Sequence, residues 1–215
     1  MTPQERKKGK KEDVRKLILD AAKKLFIEQG YEATSMRNIA TEINYSPTTI
    51  YLYYKDKGDI IYALHQEGFT ILKMLFMPLA TVEAPFERLK ALGRTYLNFA
   101  KEYPEYYEVM FMMKEPMDHL DKTANEELWE GGKEMFGFII STIVECQEKG
   151  FFSKDNPHYI ALQAWAMVHG LCSLYLTTRI HKIGMENEAA LSADALLDNA
   201  YKSFVSFIES KKMNV

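Results

Sequence analysis

Several features that mark common protein classes are scarce or missing in this chain. Its 215 residues include only two cysteines, Cys146 and Cys172, and both lie in apolar helical surroundings rather than in a disulfide framework. No apolar run reaches the ~18 residues that a membrane span needs, and the N-terminus is polar and basic, unlike a signal peptide. The composition therefore favours a cytoplasmic protein.

The motifs of common catalytic sites are also missing. The sequence has no G-x-S-x-G, no glycine-rich nucleotide loop and no H-E-x-x-H. Its histidines, which show no paired ligand spacing, are His65, His119, His158, His169 and His181. We therefore expect no metal site, no cofactor and no enzymatic activity.

No segment alternates apolar and polar residues as a half-buried strand does. Apolar residues instead recur at three- and four-residue spacing, as in Val14, Leu17, Ile18, Ala21, Ala22, Leu25 and Phe26. Gly30, Pro78, Pro85, Asn156-Pro157 and Ser192 mark helix ends and starts. The predicted fold is all-α with about nine helices, including one from near Asn125 to Lys149 and two late helices over 157–182 and 190–210.

The segment 34–61 has the pattern of a helix-turn-helix. Thr34 can cap a helix that carries Met36, Ile39, Ala40 and Ile43 on one face, and Asn44 can adopt the left-handed conformation that ends it. Ser46-Pro47 then supplies a cap and a first-position proline for a second short helix. The second helix of such a motif lies in the DNA major groove, so double-stranded DNA is the predicted partner.

Charge and pattern together suggest three parts. Residues 1–11 form a basic arm, residues 12–60 the helix-turn-helix domain, and residues 61–215 a helical C-terminal domain, to which the family resemblance described below assigns ligand binding and dimerisation. Residues 1–60 carry a net charge of +3 and the remainder −6. Arg6, Lys7, Lys8, Lys10 and Lys11 of the arm would neutralise DNA phosphates, and a solvated, disordered tail is the alternative.

The candidate DNA-binding residues lie in and around the second short helix, and they are Arg37, Tyr45, Ser46, Pro47, Thr48, Thr49, Tyr51, Tyr53 and Lys57. Threonine hydroxyls and methyls can contact base edges, and tyrosine can donate to phosphate. No Arg or Asn occurs over 47–54, so sequence specificity would rest on the threonines, on DNA shape and on the arm. For Arg37, a solvated surface charge is the alternative.

Residues 11–71 resemble the N-terminal domain of TetR-family transcriptional regulators (AcrR-like). The matching residues are Ala21, Ala22, Phe26, Gly30, Tyr31, Thr34, Ile39, Ala40, Ser46, Tyr51, Tyr54 and Lys57. The chain departs at Asn44, Thr48 and Gly58, where the family more often has Gly, Gly and Glu. The resemblance implies that Tyr51 and Lys57 contact phosphates, since Lys57 starts a helix whose dipole favours anions.

The segment Trp165 to Gly170 matches the motif of the WHG-type TetR C-terminal domain, which implies a dimer interface and a ligand cavity. The candidate pocket residues are Met74, Met77, Met110, Phe111, Trp165 and His169. Ordinary helical core packing is the alternative for the methionines and aromatic residues. A buried histidine that holds a backbone carbonyl is the alternative for His169.

The two late helices carry apolar stripes that predict a homodimer. The candidate interface residues are Leu171, Leu174, Leu196, Ala200, Ser203, Phe204 and Phe207. The implied function is that of a dimeric repressor on a palindromic operator, released by a small, largely apolar effector that shifts the fourth helix. An activator, an effector-independent regulator and a helical protein-interaction adaptor stay open as alternatives.

Overall fold

The computed structural model describes residues 3–123, 129–152, 155–185 and 191–210, and within these ranges the chain forms α-helices and no strand. The all-α prediction is confirmed, and the described ranges contain eleven α-helices in place of about nine. They are α1 (Pro3–Gln29), α2 (Met36–Glu42), α3 (Pro47–Tyr51), α4 (Lys57–Phe76), α5 (Pro85–Glu102), α6 (Pro104–Tyr107), α7 (Glu115–Thr123), α8 (Glu130–Glu148), α9 (Pro157–Leu176), α10 (Arg179–Met185) and α11 (Ala193–Glu209). A 3₁₀ turn (Met77–Thr81) follows α4, and a π-helical turn (Glu108–Met112) follows α6.

The late part of the chain has more helices than its pattern predicted. A single helix over 157–182 is wrong, because Thr178 has a φ of 59° and separates α9 from α10. The left-handed conformation cannot continue a right-handed helix, and no glycine or proline marks the break in the sequence. The predicted helix start near Asn125 lies outside the described residues. The predicted caps at Asn156 and Ser192 are confirmed by their hydrogen bonds to the first-turn amides.

The chain divides into two compact units that are not continuous in sequence. The N-terminal unit comprises Met1–Thr70 and Glu105–Trp129, and the C-terminal unit comprises Ile71–Pro104 and Glu130–Val215. The domain boundary after residue 60 therefore stays a prediction. Helix α4 contributes residues to both units.

One face of α1 forms the base of the N-terminal unit. Ile18, Ala22 and Phe26 are almost fully buried, whereas Leu17 is 46% exposed although it shares the apolar pattern. The backbone of residues 3–11 continues α1, and of the basic arm Lys11 is exposed. The side chains of the other basic arm residues lie outside the described ones.

The core of the C-terminal unit lies among α5, α8 and α9. Phe86 stacks on Phe151 with ring centroids 4.4 Å apart, and Ile143 is fully buried beside them. Arg88, which is also buried, donates to the Thr142 hydroxyl at 3.3 Å and forms an ion pair with Glu145. The guanidinium therefore keeps hydrogen-bond partners where water is excluded.

Helix α9 corrects one expectation about apolar length. Its 20 residues contain no Asp, Glu, Lys or Arg, and an 18-residue window reaches a mean hydropathy of 1.2, enough for a membrane span by length and composition alone. Core helices of soluble proteins pass the same test, so a single such helix is weak evidence for a membrane. Only 17% of that window is buried within the chain. Leu162, Met167 and Leu174 are among the apolar α9 side chains that stay exposed.

We predict that Asn44 stabilises the fold through its backbone conformation, which has a φ of 57°. Asn44→Val should lower the free energy of unfolding by about 1–2 kcal/mol, because a β-branched residue is strained in the left-handed region. Asn44→Gly should stay within about 0.5 kcal/mol of the parent, since glycine adopts this conformation freely. Urea denaturation followed by circular dichroism measures both variants. A valine variant as stable as the parent would contradict this account.

Candidate nucleic-acid interface

The first helix of the motif is capped one residue later than the sequence suggested. The Ser35 hydroxyl accepts a hydrogen bond from the Asn38 amide at 3.1 Å, and the Asn38 carboxamide oxygen accepts one from the Ser35 amide at 2.9 Å. This reciprocal capping box satisfies two amides at the start of α2. Thr34 is therefore not the cap. Its buried hydroxyl donates instead to the carbonyl of Gly30 at 2.9 Å, behind the loop that joins α1 to α2.

The turn between α2 and α3 has the predicted chemistry. Asn44 is left-handed, and the Tyr45 amide donates back to the Ala40 carbonyl at 2.9 Å. The Ser46 hydroxyl accepts from the Thr49 amide at 3.2 Å, and Pro47 occupies the first helical position. Both caps expected from the sequence pattern, at Asn44 and Ser46, are confirmed. They fix the direction in which α3 leaves α2.

The outer surface of α3 presents two of the predicted contacts. Thr48 and Tyr51, three residues apart on one helix face, are exposed, and Tyr51 has 55% of its surface accessible. Ile50 points the other way and is fully buried. Leu52, which is not among the predicted contacts, is 74% exposed just after the helix. The sequence pattern alone does not show that Leu52 is exposed, because this depends on which face of α3 is buried.

The remaining predicted contacts differ in how freely they can reach a ligand. Arg37 and Tyr45 are exposed, whereas Tyr53 is half-buried. The Thr49 hydroxyl lies 2.9 Å from the Ser46 hydroxyl, so both participate in capping. Their roles as DNA contacts stay predictions.

The Lys57 ammonium is engaged within the protein. It donates to the carbonyls of Tyr31 at 2.7 Å and Thr34 at 3.1 Å, and lies 4.1 Å from the centroid of the Tyr31 ring. The carboxylate of Glu32 lies 3.9 Å away. These contacts bind the α1–α2 loop to the first residue of α4. A phosphate contact by Lys57 stays a prediction, and it would require the ammonium to leave these carbonyls or share its protons.

A group of possible cation ligands lies where the start of α4 meets His119 of α7. Ligand atoms of Asp56, Asp59 and His119 lie within 4.8 Å of one another. Asp56 accepts from the Asp59 amide at 3.0 Å, and Asp59 accepts from the Lys55 amide at 2.9 Å, so both carboxylates cap the helix. Spacing along the chain does not reveal this group, because His119 follows Asp59 by sixty positions.

Close packing explains why Gly58 stands where the resemblance described above leads us to expect Glu. A Cβ on Gly58 would lie 2.5 Å from Nδ1 of His119. The imidazole therefore rests directly on the α4 backbone, and its Nε2 lies 3.4 Å from the Asp59 carboxylate. The cost of glycine near a helix start is offset by this close approach.

The C-terminal unit encloses an apolar cavity of about 50 Å³. Its lining comprises Phe76, Leu89, Lys90, Leu92, Gly93, Tyr96, Ile139, Ala164, Trp165, Val168, Tyr201, Phe204, Val205 and Ile208. The Trp165 indole donates to the Tyr96 hydroxyl at 3.1 Å, and that hydroxyl lies 3.3 Å from Nδ1 of His169. Burial lowers the pKa of His169, so its imidazole is neutral near pH 7.

The six predicted pocket residues are divided between the two units. Trp165 lines the cavity. His169 does not line it but contacts the hydroxyl of Tyr96, which does. Met74 and Met77 are 59% and 63% exposed, because they lie on the outer side of α4 and at its end. Met110 and Phe111 belong to the N-terminal unit, where Met110 packs on Gly68 and Phe111 on Phe69. A pocket that includes all six residues therefore stays a prediction.

The predicted dimer residues lie on two helices that contact each other, α9 and α11. Leu174, Ala200, Ser203 and Phe207 are exposed, and Phe207 has 60% of its surface accessible. Leu171 and Leu196 are half-buried, and Phe204 turns toward the cavity. Among the described residues, nothing lies within 4 Å of the position that a Cβ on Gly170 would take.

These features define a class: an all-helical protein whose N-terminal unit carries a helix-turn-helix and whose C-terminal unit encloses an apolar cavity. Residues 18–64 match the family model described as bacterial regulatory proteins, tetR family. Residues 89–200 match the model described as tetracyclin repressor-like, C-terminal domain. Because the second match alone spans more than half of the chain, the protein belongs to the TetR family. The WHG-type subclass stays a prediction.

Among curated proteins, the chain is similar to the HTH-type transcriptional regulator HbdR of Aromatoleum sp. (strain CIB). The two are 47% identical over 51 residues, which is 24% of this chain and 22% of that protein. The fatty acid metabolism regulator protein of Bacillus subtilis (strain 168) is 40% identical over 50 residues, 23% of this chain and 26% of that protein. The alignments thus span about a quarter of these relatives.

Solved structures share the fold over almost the whole chain. The fatty acid degradation regulator FadR of Bacillus halodurans superposes with a TM-score of 0.68 at 17% identity, covering 89% of this chain and 94% of that one. AibR in complex with isovaleryl coenzyme A and operator DNA gives 0.67 at 18% identity, covering 88% and 96%. At identities this low, the similarity of the structures shows the common fold alone.

We predict that Lys57 stabilises the helix-turn-helix from within the protein. Lys57→Met should lower the free energy of unfolding by about 1–3 kcal/mol, because the loop carbonyls lose a charged donor. Lys55→Met is the matched control, since this exposed lysine loses the same charge two residues away and should change stability by less than about 0.5 kcal/mol. Urea denaturation compares the two variants. Equal stabilities would show that the ammonium is free for other partners.

Proposed function

We propose that the protein is a transcriptional regulator that binds double-stranded operator DNA through α3. The observation that carries the proposal is the capped α2–turn–α3 unit, which buries Ile39 and Ile50 and leaves Thr48 and Tyr51 exposed. Short side chains at the start of α3 would allow the helix backbone to approach base edges closely, and the Tyr51 hydroxyl would donate to a phosphate. Arg37 and Tyr45 would make further backbone contacts from the preceding helix and turn.

The active form is proposed to be a homodimer through α9 and α11. Helix α9 carries no charge over 20 residues and leaves apolar side chains such as Leu162 and Leu174 exposed. Uncovered apolar surface of this extent favours association with a second surface. Gly170 leaves room for close approach by a helix from a partner. Two copies related by a two-fold axis would present two α3 helices to the half-sites of a palindrome.

The regulatory state is proposed to depend on an apolar effector in the cavity of the C-terminal unit. Phe76, at the end of α4, lines this cavity, and Lys57, at the start of α4, holds the loop before α2. A ligand that binds one position of α4 better than another would shift the population of DNA-binding forms. Release of a repressor is the direction we propose.

A helical protein-interaction adaptor is the second candidate, because the exposed α9 surface alone would serve such a function. It would not require the reciprocal cap at Ser35 or the engaged Lys57. A DNA-binding measurement separates the two candidates directly.

We predict specific binding to DNA from upstream of the protein's own gene, measured by fluorescence anisotropy with scrambled competitor across a salt series. Tyr51→Phe should weaken binding by at least about tenfold, because a hydrogen bond to a charged phosphate is worth about 1.5–3 kcal/mol. Tyr103→Phe, which removes a hydroxyl from the C-terminal unit, should bind like the parent. Equal loss in both variants, or no preference over scrambled DNA, would rule out the proposed contact.

We also predict that the protein elutes with twice its chain mass of 24.9 kDa in light-scattering chromatography. The double variant Leu174→Glu/Phe207→Glu should be monomeric, because buried unpaired carboxylates oppose an apolar interface. Val144→Glu is the control, as Val144 is a 38% exposed apolar residue on α8. A double variant that keeps the dimer mass would show that α9 and α11 do not form the interface.

A further inference from the structure

A surface groove lies beside the cavity and shares three lining residues with it. This groove, of about 590 Å³, runs between α5 and α11 and is lined by Lys90, Arg94, Lys202, Tyr201, Val205 and Glu87, with neighbouring small side chains. Lys90, Tyr201 and Val205 line the cavity as well. The groove and the cavity are therefore adjacent and have these three side chains in common.

Tyr201 is one of the three side chains that line both spaces, and it is the largest apolar one. It is 5% exposed, and its hydroxyl donates to the Lys90 carbonyl on α5 at 2.5 Å. A Cβ on Gly93 would lie 2.6 Å from that hydroxyl and 3.0 Å from the ring, so the phenol lies directly on the α5 backbone. The Arg94 guanidinium covers the ring at 4.5 Å from its centroid. One hydrogen bond and one cation–π contact thus hold the ring in place.

The groove is positively charged in a part of the chain that is otherwise acidic. Lys90, Arg94 and Lys202 face Glu87 and Asp198, which leaves one positive charge, whereas residues 61–215 carry a net charge of −6. Asp198 is shared, because Arg94 lies 2.7 Å and Lys202 2.6 Å from its two oxygens. An arriving anion would find donors that hold a single carboxylate between them.

The cavity by itself is small for an effector. Its volume of about 50 Å³ accommodates a few water-sized groups. Displacement of the Tyr201 ring would add the space that the ring occupies and would connect the cavity to the groove. Such a continuous site would be apolar at its inner end, where Leu92 and Val168 lie, and cationic at its outer end.

We propose that Tyr201 is a gate between the groove and the cavity, and that the site binds an amphipathic anion with its apolar chain inside and its charged head at Arg94 and Lys202. This inference rests on the proposed effector function and names the chemical class of the effector. The head group is a carboxylate or a phosphate, since both accept hydrogen bonds from guanidinium and ammonium groups. The ring leaves its place on Gly93 when the chain enters.

Trp165 provides a direct readout because it lines the cavity. In a Trp129→Phe background it is the sole tryptophan, and its fluorescence reports occupancy without DNA. The probes are dodecanoate, dodecan-1-ol and dodecyltrimethylammonium, which share one chain length and differ in head charge, all below their micelle concentrations. We expect dodecanoate to bind at least about tenfold more tightly than the alcohol, and the ammonium compound to bind most weakly.

Variants test the head-group site and the gate separately. Lys202→Gln and Arg94→Gln should reduce the preference for dodecanoate over dodecan-1-ol severalfold while alcohol binding changes little. Lys73→Gln, which removes an exposed lysine paired with Glu134, should leave the preference unchanged. Tyr201→Phe loses the hydrogen bond to Lys90, so stopped-flow association of dodecanoate should be severalfold faster. Tyr103→Phe should associate at the parent rate.

The outcomes distinguish this inference from the proposed function. Equal binding of carboxylate and alcohol, or a preference that survives in Arg94→Gln and Lys202→Gln, would overturn the anionic class. Unchanged association in Tyr201→Phe would overturn the gate. Dodecanoate that binds with the expected preference but leaves operator affinity unchanged would support the site and refute its effector role. A tighter response to dodecanoyl coenzyme A than to dodecanoate would assign the head-group contacts to phosphate.

Discussion

The attachment of the Lys57 ammonium to the loop before α2 is the constraint on which the arrangement of the N-terminal unit depends. Three carbonyls, of Tyr31, Glu32 and Thr34, accept hydrogen bonds from this ammonium, which belongs to the first residue of α4. Those carbonyls come after the end of α1 and before the cap of α2, so the contact joins three helices at one point. Burial, and secondly the charge of Asp56, raises the pKa of the Tyr31 phenol beside it to about 12, so a neutral ring covers the ammonium.

Helix α4 gives this constraint a wider consequence, since one continuous helix supplies residues to both units. Its buried residues Ile60, Ile61 and Leu64 pack in the N-terminal unit, and Phe76 at its end lines the cavity of the other. The effector role proposed above assigns the coupling to α4, because this helix contributes residues to both units.

In the C-terminal unit, buried polar groups have hydrogen-bond partners, whereas part of the surface is apolar and exposed. Arg88 donates to Thr142 and pairs with Glu145, and Trp165, Tyr96 and His169 form a hydrogen-bonded chain beside the cavity. The outer face of α9, by contrast, exposes apolar side chains without charge. An apolar helix is stable when another apolar surface or a core covers it. A symmetric dimer would cover α9 and would also match the two half-sites of a palindromic operator, so the proposal joins dimerisation with operator symmetry.

The sequence by itself determined the all-α class, the cap at Ser46, the left-handed Asn44 and the family, because each depends on local conformational preference or on a spaced pattern of residues. Tertiary structure alone decided which atoms the Lys57 ammonium binds, that His119 lies on Gly58, and that Met110 packs on Gly68 rather than lining the cavity. These contacts join residues far apart in the chain, and neither periodicity nor propensity carries information about which helix faces meet.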